Sequence, residues 1–109
     1  MPDEKTLNII KNYIDSLKAE NINLSKVILY GSYAKGTANE SSDIDLILVA
    51  PEFDEDRDKY LGTIWKLTEQ SNFMIEPYTV GLKRFLSDDI SPIIQIAKKE
   101  GYEISVGAN

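Results

Sequence analysis

The sequence predicts an α/β (α+β) domain, a small mixed β-sheet flanked by helices. Three observations point to it. The first twenty residues carry apolar side chains at three- and four-residue steps. Two short aliphatic runs follow, Val27–Tyr30 and Asp43–Ala50, separated by a polar, glycine-containing bridge. Helical and extended patterns then alternate toward the C-terminus, in the order helix, strand, helix.

Over Asp3–Asn21, Leu7, Ile10, Ile14 and Leu17 form one stripe of a helix. Asp3 and Glu4 lie in its first turn, where the helix dipole favours negative charge. Val27-Ile28-Leu29-Tyr30 is nearly all apolar, which predicts a strand covered on both faces. Gly31 permits a tight turn, a helical turn starts at Ser32, and Gly36 ends it. Asp43–Ala50 reads as the second strand, with Asp43, Asp45, Ile47 and Val49 on one face and Ile44, Leu46 and Leu48 on the other.

Pro51-Glu52-Phe53 breaks that strand, and Asp54–Asp58 reads as the solvated start of a helix. Tyr60, Leu61, Ile64, Trp65 and Leu67 supply its apolar side. Gly62 within it predicts a close approach to the sheet, and Gln70-Ser71-Asn72 ends it. Phe73–Val80 is the third strand. Pro77 cannot donate to a ladder, so the strand is an edge or irregular there. Leu82–Leu86 forms a short helix. Ser91 is an N-cap with Pro92 at the first helical position of a last helix, which Gly101 terminates. Tyr102-Glu103-Ile104 adds a short final strand.

At 109 residues the chain is read as one domain, residues 1–109, with no room for a second substrate-binding domain. There is no cysteine and no histidine, so thiol nucleophiles, zinc thiolates and the commonest general base are excluded. Acid–base or metal chemistry falls to Asp, Glu, Lys or Tyr. Eighteen acids against twelve bases give a net charge of −6, which disfavours binding to nucleic acid backbones. The charged start lacks the pattern of a signal peptide, and no apolar run reaches the ~20 residues of a membrane span. A cytoplasmic protein with no membrane and no nucleic acid partner is the expectation. Trp65 and several apolar helix positions leave an oligomer open without placing an interface.

The stretch Gly31–Leu46 carries the chemistry. Gly31-Ser32 at a strand-to-helix turn offers backbone N–H groups, a hydroxyl and close approach to a phosphate. Lys35 adds a cation one turn later. Asp43 and Asp45 on one strand face are hard oxygen ligands suited to Mg²⁺. Glu76, the only acid in an otherwise uncharged strand, is the third carboxylate. Such a set suits in-line nucleotidyl transfer with two ions. Each part has an ordinary explanation: a plain turn, a solvated Asp pair, a carboxylate on an edge strand. Their joint occurrence at this spacing is what makes them specific.

Gly31-Ser32-x-Ala34-Lys35-Gly36 followed by Ser42-Asp43-x-Asp45-Leu46 resembles the motif of the minimal nucleotidyltransferases, within the polymerase-β-like nucleotidyltransferase superfamily. The resemblance runs from about Leu7 to Ile104. It implies a palm-like nucleotidyltransferase fold and transfer of a nucleoside monophosphate, AMP from ATP, to a hydroxyl with two Mg²⁺. It places Gly31, Ser32 and Lys35 on the phosphates, and Asp43, Asp45 and Glu76 as catalytic metal ligands. Lys35 stands where Arg is common, which loses a bidentate grip. Glu76 stands where Asp is typical. Short members of the family resemble antitoxins paired with a helical HEPN partner, some of which receive AMP on a tyrosine. The alternatives are a binding module that neutralises such a partner by contact, and nucleotidyl transfer to a small molecule.

Overall fold

In the computed structural model, which describes residues 2–107, the elements follow in the predicted order. They are α1 (Glu4–Ala19), β1 (Lys26–Tyr30), α2 (Ser32–Lys35), β2 (Ile44–Ala50), α3 (Glu52–Asp56), α4 (Asp58–Lys66), β3 (Ile75–Gly81), α5 (Leu82–Ser87), α6 (Pro92–Glu100) and β4 (Tyr102–Ile104). A 3-10 turn over Leu67–Ser71 follows α4. The sheet order is β3-β2-β1-β4. β1 is antiparallel to β2 and β4, and β2 is parallel to β3, so the sheet is mixed and β3 is an edge. The edge position accommodates Pro77. Among the described residues no helix is long and apolar enough to cross a membrane.

The alternation read for β1 and β2 divides the core in two. Val27, Leu29, Ile44, Leu46 and Leu48 pack with Ile10, Ile14 and Leu17 of α1 and Ile64 of α4. Ile28, Ile47 and Val49 pack on the opposite face with Phe85 of α5 and Ile94 and Ala97 of α6. Both faces of β1 and β2 are therefore covered along most of their length, as their unbroken apolar runs require. Tyr13 joins the α1 stripe fully buried, and its hydroxyl donates to the Ile64 carbonyl at 2.8 Å. Tyr13→Phe leaves that carbonyl short of a partner and is expected to cost about 1–2 kcal/mol in a denaturant melt.

Several boundaries differ from expectation. Asp3 is the N-cap of α1, accepting from the Thr6 N–H at 2.7 Å. β2 starts at Ile44, with Asp43 just ahead of it. β3 starts at Ile75, because Asn72 and Phe73 take positive φ of 56° and 61° in a turn. The middle helix begins at Glu52 and is split at Arg57, with Phe53 buried edge-on to Tyr60. Asp54 is no mere solvated charge. Its carboxylate accepts from the N–H of Lys83 at 2.8 Å and of Arg84 at 3.3 Å, capping α5 across 29 residues of sequence. Gly81 is needed beside it, since a Cβ there would collide with the Asp54 carboxylate.

Gly62 makes no close approach to the sheet: a Cβ added there meets open space. Its backbone is ordinary helix, so it carries only an entropic cost. Gly62→Ala is expected to stabilise the fold by about 0.5–1 kcal/mol in a denaturant melt.

Ser91 sits at the N-cap of α6 but makes no capping bond. Its hydroxyl donates instead to Asp88 at 2.7 Å. Asp88 also accepts from the N–H groups of Ile90 and Ser91 and, at 3.4 Å, from Arg84. The Ser91 bonds first, then Ile90 and Arg84, hold the Asp88 carboxyl well below its ordinary value. A depressed carboxyl stabilises the fold above its unfolded pKa of about 3.9 and loses that contribution as pH falls. The melting-temperature advantage of the wild type over Asp88→Asn is therefore expected to be full at pH 7 and to shrink below about pH 4.

Candidate active site

The register of the sheet gathers three side chains into one row. Tyr30 on β1 faces Asp45 on β2, and Asp45 faces Glu76 on β3. Parity puts all three on the α5/α6 side: Asp45 is two residues from Ile47, Glu76 two from Tyr78, Tyr30 two from Ile28. The next row, Ile28, Ile47 and Tyr78, lies toward the helices, with Ile28 and Ile47 buried. The Tyr30–Asp45–Glu76 row is left open at the edge of that cover. Asp43, just before β2, is exposed beside it.

The charges of these carboxylates feel one another. Asp45 is held above its ordinary value, first by partial burial and then by the Asp43 charge. Glu76 is raised first by a hydrogen bond with Asp43, then by desolvation, then by the charges of Asp43 and Asp45. Tyr30 is pushed up to about 12, by burial and then by Asp45, Glu76 and Tyr78. Like charges brought together at an open edge disfavour their own ionisation and favour a bound cation.

Gly31 follows Tyr30 and turns the chain into α2. Its φ is +74°, and an added Cβ would strike the Asp45 carboxylate. Glycine is thus required twice, for its backbone and for the room it leaves Asp45. Ala34 and Lys35 donate their N–H groups to the Gly31 carbonyl at 3.1 Å. At four residues α2 is a single turn. Its opening N–H groups have no partner within the turn, whereas its summed dipole is small. Ser32 stands at that opening, beside the carboxylate row.

Lys35 closes the turn with its ammonium 3.9 Å from Glu100 at the end of α6, both more than a third exposed. Such a pair holds weakly, so the ammonium is not committed to it. Tyr33 faces the other way. It packs on the α1 side and lines an open groove of about 710 Å³ with Ile9 and Met74, away from the carboxylates. Lys83 is exposed, but Arg84 is half-buried and bonded to Asp88 and Ser91. Sequence reasoning passed over Tyr30, whose place in the row depends on a register that only the folded sheet provides.

Among the described residues no three carboxylates gather around one point that could hold a metal ion. Mg²⁺ does not demand such a cage. It commonly takes one or two protein carboxylates and completes its shell with water and substrate phosphates. Asp43 and Asp45, crowded and hard in donor character, fit that requirement.

A model of the nucleotidyltransferase domain matches residues 10–104. A candidate protein adenylyltransferase of Methanocaldococcus jannaschii is 36% identical over 98 residues, covering 84% of this chain and 67% of that one. The crystal structure of a candidate nucleotidyltransferase from Sulfolobus solfataricus superposes with a TM-score of 0.57 at 16% identity, over 91% of this chain and 78% of that one. A toxin–antitoxin crystal structure containing AMP-PNP superposes with a TM-score of 0.54 at 25% identity, over 87% and 72%.

Proposed function

The chain belongs to the nucleotidyltransferase domain family, and from that premise we propose that it is a Mg²⁺-dependent protein adenylyltransferase acting as an antitoxin. The acceptor is a hydroxyl on another protein, a tyrosine of a HEPN-type helical toxin. The observation that carries the reading is the cross-strand pair of Asp45 and Glu76, with Asp43 just ahead of β2, at the end of the sheet where the Gly31-Ser32 turn lies against Asp45. The M. jannaschii relative supports adenylyl transfer to protein, and the AMP-PNP-containing toxin–antitoxin structure supports both ATP and a toxin partner.

In the proposed reaction the acceptor oxygen forms a bond to the α-phosphorus of ATP. The bond between that phosphorus and the β-phosphate bridge breaks, and pyrophosphate leaves. Gly31 and Ser32 hold the β- and γ-phosphates through backbone N–H groups and the Ser32 hydroxyl. Lys35 leaves Glu100 to meet phosphate charge. Asp43 and Asp45 would hold two Mg²⁺, with Glu76 as third carboxylate. The ions, when bound, neutralise the triphosphate and lower the barrier to attack on the α-phosphorus. Glu76, exposed on the edge strand, would take the acceptor's proton.

The test is incubation of the purified protein with its gene neighbour's product, Mg²⁺ and α-labelled ATP, with and without a chelator. Label on the neighbour that disappears with the chelator is the expected result. Neutralisation of the neighbour without label in either arm overturns adenylyl transfer in favour of inhibition by contact.

A further inference from the structure

Building on that reading of the site, we propose that the Tyr30 hydroxyl is a nucleotide-binding group, donating a hydrogen bond to a phosphate oxygen of bound ATP. Phosphate oxygens accept hydrogen bonds and do not donate them. The ionised carboxylates of Asp45 and Glu76, which share the cross-strand row with Tyr30, are likewise acceptors only. Tyr30 is the one member of that row that can donate. It is half-buried at the end of β1, directly before the Gly31-Ser32 turn. Among the described residues its hydroxyl donates to no protein group, whereas the Tyr13 hydroxyl is committed to Ile64. Its ring is anchored against the core formed by Ile28, Ile47 and Val49. The position of the hydroxyl is therefore fixed by packing before the ligand arrives.

Tyr30→Phe removes the oxygen and keeps the ring. Titration calorimetry with Mg-ATP should show an affinity about tenfold or more weaker than wild type, the scale of a lost hydrogen bond to a charged group. The thermal melt without ligand should be unchanged. Asp45→Asn runs in parallel. Weakened Mg-ATP binding in both variants supports the proposal. Wild-type affinity in Tyr30→Phe with weakened binding in Asp45→Asn overturns the role of Tyr30 and leaves the site reading intact. Wild-type affinity in Asp45→Asn overturns the site reading and this proposal with it. A Tyr30→Phe protein whose unliganded melt falls along with its affinity also overturns it, since the hydroxyl then serves the fold.

Discussion

Asp45→Asn is expected to lower nucleotidyl transfer on the order of 10²–10³-fold or more while leaving the protein folded. The loss corresponds to several kcal/mol of transition-state charge stabilisation. Asn offers a neutral, weaker oxygen at the centre of the row, between Tyr30 and Glu76. Stability should move the other way. Asp45 is held above its ordinary value by partial burial and by Asp43, so its charge is a burden on the fold. For such a carboxyl the stabilising contribution lies at low pH and is lost as pH rises through the raised folded value. A neutral side chain removes that burden, so the melting temperature of Asp45→Asn at pH 7 should equal or exceed the wild type. Activity lost together with a lowered melting temperature would instead place Asp45 in the scaffold. The opposition of the two effects is what a strained functional site produces.

Gly31→Ala should be nearly as damaging to activity, and by a different route. A Cβ at Gly31 must be carried at φ +74°, and it strikes the Asp45 carboxylate. At φ +74° and ψ −150° the backbone lies in a region essentially confined to glycine, which alone costs about 1–3 kcal/mol. The collision displaces either Asp45 or the turn that presents Ser32, and small displacements in a positioned site cost on the order of 10²-fold. The expected result is a lowered melting temperature with transfer reduced by that order. Gly36→Ala is the internal control. It has a φ of +77° with ψ 18°, the milder left-handed helical region, and nothing within 4 Å of its Cβ, so it should carry a smaller backbone cost and spare the site. Equal loss of activity in the two variants would show that the Asp45 contact is irrelevant.

The parts of this molecule that were legible in the sequence are those governed by local period and local chemistry. The α1 stripe, the unbroken run of β1 and the alternation of β2 each follow from which residues must be buried. Alternation alone put Asp45 on the same face as Ile47 and Val49, and the folded sheet keeps it there. What escaped was set by long-range pairing. Nothing between Ala50 and Gly81 announces that β3 runs parallel to β2 in the register that brings Glu76 opposite Asp45. The same holds for Tyr30, an ordinary strand residue until its partner is known. Asp54 looked like one charge in a run of charges, and its capping of α5 depends on the chain returning to it 29 residues later. Gly62 misled for the opposite reason: a glycine inside a helix suggests close packing, and here it faces open space.

The measurement that bears most directly on the central claim compares two labels on one nucleotide. The protein is incubated with Mg²⁺ and its gene neighbour's product, the proposed acceptor, once with ATP labelled at the α-phosphate and once with ATP labelled at the γ-phosphate. Nucleotidyl transfer predicts label on the partner from the α-position alone, with the γ-label recovered in pyrophosphate. Label from the γ-position alone would mean phosphoryl transfer, and label from neither position on a partner that is nonetheless neutralised would mean that Asp43, Asp45 and Glu76 do no nucleotidyl chemistry.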